Sequence, residues 1–185
     1  MHWYLCLAAL MLAATMTAAD NLIANPSFED GPEKEGEPPV GWVNRHAGAV
    51  EWHSDGGHDG QAYARLLDGS ETGSVSLEST RVPARPGGTY TASVWLRTTD
   101  TCQPGLYLNF YNEFSERVHH LYARAKGPTD SWAQVTVTAV APEEAMEVSA
   151  MVYGYADDVG DLDVDGVSLT VEGGREPGTL SIEPA

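Results

Sequence analysis

Thr89-Tyr90-Thr91-Ala92-Ser93-Val94-Trp95-Leu96-Arg97 decides the fold class. Successive strand side chains point to opposite faces, so Tyr90, Ala92, Val94 and Leu96 share one side and Ser93, Trp95 and Arg97 the other. The same period of two runs through Leu106 to Tyr111, Gln134 to Thr138 and Val148 to Tyr153. Gly56-Gly57, Pro86-Gly87-Gly88, Gly127-Pro128 and Asp157-Asp158-Val159-Gly160 separate these runs with turn-forming residues. Only Pro142-Glu143-Glu144-Ala145-Met146 offers even one helical turn. Many short strands, regular turns and no long helix predict an all-β sandwich or barrel.

Residues Leu5 to Ala19 are apolar or small and uncharged, and Thr17-Ala18-Ala19 before Asp20 suits a signal peptidase. The stretch is short for a membrane span, so residues 1–19 read as a cleaved signal peptide of a secreted or periplasmic protein. Residues 20–172 then form one domain, 31–39 a polar loop, and 173–185 a flexible C-terminal tail. Cys102 is the lone cysteine after the leader, so no intrachain disulfide is expected. With 27 acids against 10 Lys and Arg, the net charge is −17. Such a chain repels nucleic-acid phosphates and anionic membranes, and suits neutral sugars or cations.

Parity also groups the side chains that face away from the core. Trp95 and Arg97 lie on one strand, Tyr107, Asn109, Tyr111 and Glu113 on the next, and Tyr153 on a third. Aromatic rings stack on the CH faces of sugars while polar side chains take the hydroxyls, so these seven residues are the candidate ligand-binding set. The alternative is a second small cluster covered by a loop.

Short motifs then fall in a recognisable order. Asn21-Leu22-Ile23-Ala24-Asn25-Pro26-Ser27-Phe28-Glu29 leads to Val40-Gly41-Trp42, Asp59-Gly60-Gln61-Ala62 and Val82-Pro83. Pro86-Gly87-Gly88 through Arg97, Ser131-Trp132, Ala141-Pro142 and Asp165-Gly166-Val167-Ser168-Leu169 follow. The series resembles the jelly-roll carbohydrate-binding modules of families four, nine and twenty-two, over nearly all of residues 21–171. The resemblance implies a two-sheet antiparallel jelly roll that binds a polysaccharide of β-glucan or xylan type, with a secreted glycosidase as a possible partner. It also implies a structural calcium near the termini. Mapped here, its ligands would be Ser27, Glu29, Asp165 and the intermediate loop with Asp55 and the His58 carbonyl. Calcium takes six to eight hard oxygens, which two termini and a loop can supply.

Asp161-Leu162-Asp163-Val164-Asp165-Gly166, with Glu172 at the twelfth position, matches an EF-hand loop letter for letter. Flanking helices are missing from the pattern, and Leu162, Val164, Val167, Leu169 and Val171 alternate as a strand interrupted at Gly166. A bulged strand is therefore expected there. Glu113, Glu116 and Glu147 near the sugar face keep a small glycoside hydrolase open as an alternative. An adhesion or matrix protein without sugar specificity is the third reading. The chain has no metalloprotease, serine-hydrolase or phosphate-loop motif, and His53, His58, His119 and His120 form no ligand pattern.

Overall fold

The computed structural model describes residues 20–46, 48–98, 102–127 and 129–177; the expected signal peptide and residues 178–185 lie outside this range. The described residues contain no helix, and so none long and apolar enough to cross a membrane. Eleven strands run in order: β1 Trp42–Asn44, β2 Ala49–His53, β3 Tyr63–Asp68, β4 Val75–Ser79, β5 Val82–Pro83, β6 Thr89–Thr98, β7 Gly105–Tyr111, β8 Arg117–Arg124, β9 Thr129–Val140, β10 Glu147–Gly154 and β11 Gly160–Glu172.

They form two antiparallel sheets. The first has the order β1-β4-β10-β7-β8, with β5 also on β10; the second has the order β2-β3-β11-β6-β9. Tyr90, Ala92, Val94 and Leu96 from β6 meet Leu106, Leu108 and Phe110 from β7 and Val148, Ala150 and Val152 from β10 in one core. The inward set is thus the one expected from parity. Burying each such aliphatic side chain contributes about 1.5–3 kcal/mol, and no disulfide among the described residues adds to it. Cys102 is buried, and burial, with Asp158 and Asp68 nearby, pushes its thiol up to about 12. It is a packing residue and a poor nucleophile at neutral pH.

The opening motif works as a clasp. Asn25, at φ 52°, donates through Nδ2 to the carbonyls of Asp30 and Val40 at 2.7 and 2.9 Å. Trp42 Nε1 donates to the Asn25 carbonyl at 3.0 Å, and its ring packs 4.9 Å from that of Phe28, which is fully buried. Upstream, Asn21 closes the irregularity of β11. The register shifts between Asp165 and Ser168, with Gly166 at φ 54°. Asn21 Nδ2 donates to the Val167 carbonyl, and its Oδ1 accepts from the Leu169 amide, both at 2.9 Å. The EF-hand-like segment is therefore a bulged strand in mid-sheet.

Residues 173–177, the described part of the expected tail, follow β11 directly. The Arg175 amide donates to the Pro86 carbonyl at 2.9 Å, and its guanidinium meets Glu143 at 3.2 Å. Main-chain pairing and an ion pair hold this stretch against the sandwich.

Candidate functional site

The two-sheet topology divides the expected ligand-binding set. Trp95 and Arg97 sit on β6 in the second sheet, whereas Tyr107, Asn109, Tyr111 and Tyr153 sit on β7 and β10 in the first. All six point away from the shared core, and so onto opposite outer faces of the sandwich. Parity tells which way a side chain points within its sheet and says nothing about which sheet holds the strand. Glu113 falls outside both groups, exposed in the turn between β7 and β8.

On the first sheet the residues form a tyrosine-rich platform. Tyr107 stacks on Tyr122 at 5.0 Å and on His120 at 5.9 Å, both from β8. Tyr153 meets Tyr107 edge-on at 5.8 Å. The Tyr107 and Tyr155 hydroxyls lie 2.8 Å apart. Burial and that hydrogen bond raise the Tyr155 phenol, which stays protonated. Tyr122 is 53% exposed, leaving much of its surface open to a ligand.

Beside the tyrosines lies a buried carboxylate, Glu78 on β4. Its Oε1 accepts from the Ser149 and Tyr111 hydroxyls, each at 2.6 Å, and its Oε2 from Arg45 Nε at 2.7 Å. Burial raises its pKa, but the bonds from Ser149, Tyr111 and Arg45 outweigh burial and leave it below the ordinary glutamate value. A carboxylate held ionised in this way is a positioning anion and a poor general acid. Arg81 Cζ lies over the Tyr111 ring, 3.4 Å from its centroid, and the guanidinium pairs with Glu147 at 3.3 Å. The platform therefore combines ring surface with side chains fixed by hydrogen bonds.

Glu78, Ser149, His120 and Tyr122 are absent from the sequence-derived set. Val75-Ser76-Leu77-Glu78 does alternate, and that signal places Glu78 outward. His120 and Tyr122 lie on β8, which is exposed for most of its length, so hydrophobic alternation there is weak.

The second sheet's outer face is organised differently. Asp163 on β11 receives Arg65 Nε at 2.6 Å and Arg97 Nε at 2.9 Å. Arg97 also lies over the Trp132 ring at 4.7 Å. Trp95 stacks against His58 at 3.9 Å and 17°. Here cations and rings are spent on one another.

The expected calcium ligands grip a single loop. Glu29 Oε1 accepts from the amides of Gln61 and Ala62 at 2.7 and 2.9 Å. Asp165 Oδ2 accepts from those of His58 and Asp59 at 2.5 and 2.7 Å, and its Oδ1 from Gly166 at 2.6 Å. Asp165 is fully buried, with no ion pair to it among the described residues. Neither Asp55 nor Ser27 hydrogen-bonds either acid through its side chain, and Asp55 is exposed. Among the described residues no three His, Cys, Asp or Glu side chains converge as a metal centre. A cation there would rest on two hard carboxylates plus carbonyl oxygens, a donor chemistry that fits calcium and no softer metal.

No family model matches the sequence, and no curated protein matches it. Solved structures do. The CBM22-1–GH10 modules of Clostridium thermocellum endo-1,4-β-D-xylanase 10B, complexed with xylohexaose, superpose with TM-score 0.63 at 19% identity, covering 84% of this chain and 29% of that one. TmCBM61 in complex with β-1,4-galactotriose gives 0.59 at 19%, covering 83% and 100%. The enzymatically active domain of bacteriophage CBA120 tailspike protein 4 gives 0.67 at 12%, covering 82% and 21%. The chain has the jelly-roll fold of carbohydrate-binding modules. It spans under a third of the xylanase and of the tailspike structure, and at these identities the likeness speaks for the fold alone.

Proposed function

We propose that this chain is an exported, non-catalytic polysaccharide-binding protein whose ligand lies on the outer face of the first sheet. The observation that carries this reading is the platform of Tyr107, Tyr122, His120 and Tyr153 beside the hydrogen-bonded Glu78. Stacked rings offer the CH faces of sugars an apolar surface, and the adjoining fixed hydroxyls and guanidinium groups meet sugar hydroxyls. Binding is favoured over hydrolysis because the carboxylates there are already committed, Glu78 to three donors and Glu147 to Arg81. Xylan, β-glucan and β-1,4-galactan are the polymers to try first. Tyr122→Ala should weaken affinity-gel retardation by the preferred polymer about fivefold, roughly 1 kcal/mol, with an unchanged melting temperature. Parent-like retardation by every polymer that the parent binds would remove the platform from the interface.

Glu29 and Asp165, with carbonyls of the loop they hold, would carry a structural calcium. Its chemistry would be charge neutralisation, relieving the burial of Asp165. A ligand bound only by the native state stabilises by mass action, so chelation should lower the melting temperature by about 5 °C. Calcium should restore it, and Asp165→Asn should no longer respond. A metal-free parent as stable as the calcium-loaded one would rule the ion out as a structural element.

A further inference from the structure

The tyrosine platform is bordered by a cation that no carboxylate among the described residues answers. In a chain of 27 acids and 10 Lys and Arg, four arginines line this one face: Arg45, Arg81, Arg117 and Arg124. Three are matched one for one, Arg45 by Glu78 at 2.7 Å, Arg81 by Glu147 at 3.3 Å and Arg124 by Asp158 at 3.1 Å. Arg117 is different. It stands opposite Tyr111 on β8, exposed, three residues from His120. Its Nη1 reaches neutral Asn109 Oδ1 at 3.4 Å, a long contact, and no carboxylate pairs with it among the described residues. Glu116, beside it in the chain, accepts instead from Asn112 Nδ2 at 2.9 Å. Asn109 itself is fully buried, and its Nδ2 has no hydrogen-bond partner. Of the four arginines, Arg117 alone has no carboxylate partner among the described residues, and its exposed guanidinium stands at the rim of the rings.

We infer that the polysaccharide bound here carries sparse carboxylates: a largely neutral backbone bearing uronic-acid residues, one of which pairs with Arg117. The inference rests on the sugar-face reading above and adds the ligand's charge to it. A planar guanidinium presents a fork of N–H donors that matches a carboxylate in two parallel bonds, which a neutral hydroxyl cannot use. The density of carboxylates is limited by the rest of the molecule. A net charge of −17 repels a polymer with one charge per sugar, whereas an isolated carboxylate meets Arg117 within the screening length of about 8 Å at physiological salt.

The test compares polymers that differ in the carboxylate alone. Glucuronoxylan and a glucuronic-acid-bearing arabinogalactan, both largely neutral polymers, are each run in affinity gels beside their carboxyl-reduced forms, in which the acid has become a hydroxymethyl group. The folded protein should bind at least one native polymer about fivefold more tightly than its reduced form. Arg117→Ala should erase that difference while keeping the affinity for the reduced polymer. Arg117→Lys should keep part of it, since the charge remains and the fork is lost. Equal affinity of the parent for both forms would overturn the inference and leave the sugar face standing. A preference that survives Arg117→Ala would overturn the assignment to Arg117, and absence of binding to all four polymers would overturn the inference together with the sugar-face reading.

Discussion

Glu78→Ala should cost about 3 to 4 kcal/mol of folding stability, read as a lower urea midpoint at pH 7. The side chain is 3% exposed and answers three donors at once: Ser149 and Tyr111 on Oε1, Arg45 on Oε2. Removing it leaves the Ser149 and Tyr111 hydroxyls unpaired in a buried cluster, while Arg45, 44% exposed, can turn to water, and orphaning the hydroxyls costs more than their bonds themselves contribute. Glu78→Gln should lose less, since an amide oxygen still accepts from the hydroxyls while Arg45 faces a neutral group. The pH dependence follows from the lowered pKa of Glu78. Its ionic contribution is fully present above the ordinary value of 4.5 and is lost as pH falls through the lower native value. Asp165 acts in the opposite sense. Burial raises its pKa above 3.8 against the bonds from Asp59, Gly166 and His58, so the cost of its buried charge is felt at higher pH and is relieved as the pH falls. Subtracting the Glu78→Gln profile from the parent's isolates the glutamate: the gap between them should narrow from pH 5 downward. A gap that is flat across this range would show that Glu78 is not held ionised.

The core is legible in the residues because a buried sheet face writes a period of two into the chain. Val94, Leu108 and Val152 declare their side whatever their neighbours are. Sheet membership is not local in this way. β6 and β7 are consecutive, yet they belong to different sheets. Trp95 and Tyr107 therefore look alike in pattern and end on opposite outer faces. Glu78 shows a different limit. Alternation places it outward, but its partners Arg45, Tyr111 and Ser149 come from distant stretches of the chain, and only the folded register of β4, β10 and β7 brings them together. The clasp of Asn21, Asn25 and Trp42 lies between these cases. Its residues stand out as motifs, while the carbonyls they satisfy are defined only by the fold.

Trp95→Ala separates the two outer faces, and its expected effect falls on stability. Trp95 pairs across β6 with Asp165 on one side and Gln134 on the other, and its ring carries His58 at 3.9 Å. The same loop is tied to Asp165 through the amides of His58 and Asp59, so the indole is the floor beneath this attachment. Space around it is already filled: a side chain at Gly166 would come within 3.0 Å of Trp95 Cδ1. Truncation removes a large packed surface and leaves the loop anchored by hydrogen bonds alone, at a cost of about 2 to 3 kcal/mol, less than a fully buried tryptophan because the ring is partly exposed. Hydrogen exchange at the His58 and Asp59 amides should quicken. Polysaccharide affinity should stay at the parent's level in the folded protein, because the tyrosine platform lies beyond a sandwich about 10 Å between sheets. The opposite pair of results, an unchanged melting temperature with lost affinity, would move the ligand to the second sheet, where Trp95, Trp132 and Arg97 would take the place here given to Tyr107, Tyr122 and Arg117.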